Sequence, residues 1–93
     1  MNGPDLVVTA PFGRQELARI PRPSAEEIET AVRGAVLAFE KTRALPAFTR
    51  VAILRKVAVE LERRRDELAR TIAAEAGKPL KAARAEAERA AAT

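Results

Sequence analysis

From residue 24 onward the apolar positions of this 93-residue chain recur at helical spacing; before residue 21 they come in short β-branched runs. Ile28, Val32, Ala35, Val36 and Phe39 fall on one stripe, and Glu29, Arg33 and Glu40 stay off it. Ahead of that stripe, Ser24 and Glu27 make a capping box, hydroxyl to an early amide and carboxylate back to the cap. The pattern fades after Thr42 and Pro46 cannot continue it, which bounds a first helix at about 24–43. Val51, Leu54, Val57, Ala58 and Leu61, widened by Ile53, predict a second at about 47–63, with Thr49 as its expected cap. Leu61, Leu68 and Ile72 hold helical phase across Arg64 to Asp66, where a kink or a one-residue break is expected. The third helix, about 65–77, closes on Gly77, which takes the left-handed conformation without steric cost. Pro79 suits the first turn of a fourth, about 79–93, whose strip of Leu80, Ala83, Ala87 and Ala90 permits close approach but buries little area. Upstream, Leu6 to Thr9 and Leu17 to Ile20 read as the strands of a hairpin spanning about 6–20, with turn chemistry at Pro11 and Gly13. Residues 1–5 are expected to be a loose tail. The fold class is mostly α with a short N-terminal β-hairpin.

Two charged residues fall on apolar faces. Glu75 lies by angle on the line of Leu61, Leu68 and Ile72, in a last turn where the macrodipole disfavours a carboxylate. Buried there, it needs a partner such as Arg, Lys or a bound cation. Arg50 projects on the side of Val57 and Leu61, which leaves two roles open. Its stem lies along apolar surface with the head in solvent, or it pairs with a buried carboxylate, Glu75 being the nominee. Lys78, just past a helix end, is placed to satisfy free carbonyls there.

Composition sharpens this. Of the apolar residues, 21 are alanines and only three are aromatic, all Phe, so a core built by these residues alone is thin. A chain this short with that core needs a partner or a staple, and zero cysteines removes disulfides, zinc–thiolate sites and any Cys nucleophile. The net charge of +4 invites a basic nucleic-acid or membrane-surface module, but Arg63–Arg64–Arg65 is the one basic cluster and acids surround it. No aromatic interleaves with those arginines to stack bases, so solvated helix surface is the favoured reading and no nucleic-acid or membrane partner is expected. No apolar run is long enough to span a bilayer, and the acidic N-terminus does not read as a secretory signal. A cytoplasmic location is expected. There is no histidine, and the four glycines stand alone at 3, 13, 34 and 77, so no phosphate-cradling loop is formed. No catalytic, cofactor-binding or metal site is therefore assigned to any residue.

Several stretches together carry a resemblance. They are Pro11-x-Gly13 between apolar strands, Ala31-Val32 to Ala38-Phe39, and Arg50-Val51-Ala52-Ile53-Leu54. Arg65-Asp66-Glu67-Leu68-Ala69, Glu75-Ala76-Gly77-Lys78-Pro79 and Ala83-Arg84-Ala85-Glu86 follow. In that order and spacing the chain resembles the N-terminal segment of the aldehyde dehydrogenase superfamily. Glu75 to Arg84 is similar to the members acting on lactaldehyde or phosphonoacetaldehyde. The resemblance implies a partial segment of an α/β fold, belonging to the cofactor-binding domain and continuing past Thr93. It implies NAD or NADP as cofactor of the full-length enzyme, with the remainder of that chain as partner, and a homo-oligomer. In the whole enzyme a cysteine attacks the aldehyde, hydride passes to nicotinamide, and water releases the acid. The family's usual Asn before the turn proline is Ala10 here, so a looser turn is expected. For Glu75 the resemblance implies a share in holding a monovalent cation, whereas a salt bridge to Arg50 or Lys78 is the reading the residues favour. The other readings are a free-standing helical interaction module and the basic module weighed above.

Overall fold

The computed structural model describes residues 3–93, so of the expected tail Met1 and Asn2 lie outside the described residues. Strand β1 (Leu6–Thr9) pairs antiparallel with β2 (Glu16–Ile20), Leu6 opposite Ile20 and Thr9 opposite Glu16, with a bulge between Val8 and Thr9. Helices α1 (Ala25–Thr42), α2 (Ala47–Arg63), α3 (Arg65–Ala76) and α4 (Leu80–Ala92) follow. The Ala10 N–H donates to the Gln15 carbonyl at 2.9 Å, so the backbone closes the loop, helped by Gly13 at φ 79°.

Local chemistry explains where the helices start and stop. Ser24 Oγ accepts from the Glu27 N–H at 3.1 Å, and the Glu27 carboxylate accepts from the Ser24 N–H at 2.7 Å. Thr49 caps nothing: Pro46 holds the N-cap of α2 with no side-chain hydrogen bond, because its fixed φ already sets the entry angle. The break between α2 and α3 is one residue, Arg64, and Gly77 closes α3 at φ 69°.

What the described residues lack is a second layer. The extents are 48 × 41 × 14 Å, so the thin dimension is little more than the roughly 10–12 Å diameter of one helix. The radius of gyration is 17.7 Å, where a compact chain of this length would have about 12 Å. The exposed surface is 7802 Å², against about 5,300 Å² for a compact monomer of this mass. Layered domains bury each apolar face against another element; here the elements lie side by side.

The core that does exist is made of alanine. Ala69 of α3 and Ala83 and Ala87 of α4 are the buried residues, flanked by half-buried Leu68, Ile72, Ala73 and Leu80. The strip foreseen on α4 therefore packs as expected, except that Ala90 stays exposed. α2 lies on the other side of α4, with Ala58 and Leu61 half-buried.

Candidate functional site

Among the described residues no three His, Cys, Asp or Glu side chains cluster to hold a metal, and no buried polar side-chain atom lacks a partner. The charged residues singled out by sequence instead hold elements together, or stay on the surface.

Glu75 is exposed, which corrects its expected place in the core. The buried face of α3 is centred on Ala69; at 100° per residue Glu75 lies about 120° away, beyond Leu68 at its edge. It lines a shallow groove between β2 and α3 with Leu17, Ala18 and Arg70, and its carboxylate forms no ion pair or hydrogen bond among the described residues. The two cations nominated for it are engaged elsewhere. Arg50 donates from Nη2 to the carbonyls of Thr42 and Arg43, 2.8 Å each, and from Nε to that of Leu45 at 3.2 Å. The first two are at the negative end of the α1 macrodipole, where a guanidinium is favoured and a fork can take several orphan carbonyls. Arg50 stays exposed, as one of its two readings has it, and pairs with no carboxylate; its guanidinium ties the end of α1 to the start of α2. Lys78 donates to Glu86 Oε1 at 2.5 Å across the α3–α4 turn, and takes no helix-end carbonyl. That bond holds the Glu86 carboxyl below its ordinary value.

The three arginines of the basic cluster are each ion-paired locally, Arg63 with Glu60, Arg64 with Glu67 and Arg65 with Glu62, at 2.5–2.6 Å. Hydrogen bonding to Arg63 and Arg64 lowers the Glu60 and Glu67 pKa values. The pairs are i,i+3 and exposed, so they do more for helix surface than for any ligand.

Gly77 does two things at once. Besides its positive φ, a Cβ there would lie 3.1 Å from Phe12 Cε2 and 3.4 Å from Pro11 Cγ. The tip of the hairpin therefore rests closely on the end of α3, where a side chain would make the Phe12 ring shift by a few tenths of an ångström, a contact that turn chemistry at 11–13 did not reveal.

The one extended feature suited to binding is apolar. Every residue of α1 is exposed, and its stripe carries Ile28 at 52%, Val32 at 55%, Val36 at 63% and Phe39 at 59% exposure. On α2, Val51, Leu54 and Val57 are also exposed, and with the end of α4 they line a groove of about 320 Å³. Monomeric surfaces rarely leave contiguous apolar patches of this kind open. A dinucleotide finds no fit in these residues: the grooves are lined largely by apolar atoms, and no backbone cradle of successive glycines exists.

Comparison with known proteins bears on that face. The aldehyde dehydrogenase family's sequence profile matches residues 2–93. The chain is 36% identical over 89 residues to a lactaldehyde dehydrogenase of Methanocaldococcus jannaschii, covering 96% of this chain but 19% of that enzyme. It is 38% identical over 85 residues to a 3-sulfolactaldehyde dehydrogenase of Pseudomonas putida, 91% of this chain and 18% of the relative. The crystal structure of a glyceraldehyde-3-phosphate dehydrogenase of M. jannaschii complexed with NADP superposes with a TM-score of 0.89 at 35% identity. That match covers 99% of this chain and 20% of the other. The chain spans about a fifth of the length of the relatives it matches.

Proposed function

The chain belongs to the aldehyde dehydrogenase family, and from that premise we propose that it is the N-terminal scaffold of an NAD(P)-dependent aldehyde dehydrogenase, part of its cofactor-binding domain. In the whole enzyme the reaction is oxidation of an aldehyde to a carboxylic acid with hydride transfer to the nicotinamide. These 93 residues supply none of the reacting groups, having neither cysteine nor histidine. Their task is mechanical: the α1 and α2 stripes dock on the remainder of the polypeptide, and Arg50 fixes the joint between them.

The observation that carries this reading is the single 14 Å layer with its apolar stripes uncovered. A surface roughly 2,500 Å² larger than a compact monomer's is what one layer of a two-layer domain presents. Relatives named for lactaldehyde and 3-sulfolactaldehyde favour a small hydroxyaldehyde as the whole enzyme's substrate. The NADP bound in the superposed dehydrogenase and an NADP-dependent succinate-semialdehyde relative from Escherichia coli favour a nicotinamide cofactor. A cytoplasmic, oligomeric enzyme goes with the same reading.

The test is the coding sequence beyond codon 93 together with an assay. An in-frame extension bearing a nucleophilic cysteine, whose product reduces NAD or NADP with lactaldehyde while the 93-residue chain does not, is the expected result. Turnover by the 93 residues alone, or an extension with no such region, would refute the scaffold role.

A further inference from the structure

We draw no further inference here: the strongest candidate, the uncovered apolar stripe of α1 from Ile28 to Phe39, is the face already given to the remainder of the polypeptide, and nothing in the structure shows any other occupant for it.

Discussion

α1 and the α3–α4 pair were built by opposite means. α1 has the strongest local signals in the chain, a complete capping box and a clean apolar stripe, yet all of its residues are exposed. α3 and α4 have no side-chain N-cap and few large apolar residues, yet they hold the only buried side chains among the described residues, Ala69, Ala83 and Ala87. Good local signals make a rod; they do not say what the rod lies against. Small residues make a weak stripe but let two backbones approach until even a methyl group is sealed off.

The largest way to break this contrast is to enlarge a residue on each side of it. Ala83→Leu inserts three carbons at a position with no exposed surface and should cost about 1–3 kcal/mol in urea unfolding followed by circular dichroism. Ala35→Leu, in the middle of the α1 stripe, should change stability by less than about 0.5 kcal/mol. Equal effects at the two sites would mean that α1 is packed as tightly as α4.

Gly77→Ala comes next. A left-handed φ of 69° costs an L-residue roughly 1–2 kcal/mol, and the new Cβ meets Phe12 at 3.1 Å. The ring is 79% exposed and free to yield, so the backbone conformation sets most of the loss. Adding Phe12→Ala should recover the contact share and no more; full recovery would place the cost in the contact.

These positions also show what could be read from the residues and what could not. The capping box, the Gly77 stop and the break at Arg64 depend on neighbours within a turn, so their chemistry is complete in a few letters. Glu75 falls outside the core because a stripe drawn through Leu61, Leu68 and Ile72 follows bulk, whereas the buried line of α3 runs through Ala69. Arg50 is exposed, as one of its two readings has it, but its head group is bound by backbone in a way neither reading contains. Its acceptors are backbone carbonyls five, seven and eight residues back, and a sequence shows no carbonyl as free until the chain's path is known. Membership of the family was carried by spaced motifs, while the face left for a partner became visible only when the elements proved to lie in one layer.

Arg50→Ala sharpens the α1 side. It removes the cation from the end of α1 and should cost about 1 kcal/mol or less. Hydrogen exchange of the amides near Thr42 should rise while those around Ala69 and Ala83 hold. Arg50→Lys should recover part of the charge effect but not the forked bonding, since an ammonium is a point donor. A uniform rise across α3 and α4 would mean that α1 is coupled to the alanine core after all.

The smallest effect belongs to the Lys78–Glu86 pair, which bridges the α3–α4 turn from the surface. Lys78 makes Glu86 ionise more readily in the folded chain than in the unfolded one. The pair's contribution is therefore complete above the ordinary carboxylate value of 4.5 and is lost as pH falls through the lowered one. Glu16, Glu60 and Glu67 shift the same way under their own arginines, so the whole chain should lose stability over that acid range. Glu86→Gln should remove only one share of the slope, and about 1 M salt should remove most of the rest, because exposed pairs are screened. The pair spans the turn beside the alanine core, so the Glu86→Gln loss should appear in α3 and α4 exchange and leave α1 unmoved. A slope that survives high salt would instead have to come from Glu86, half-buried where Glu16, Glu60 and Glu67 are exposed.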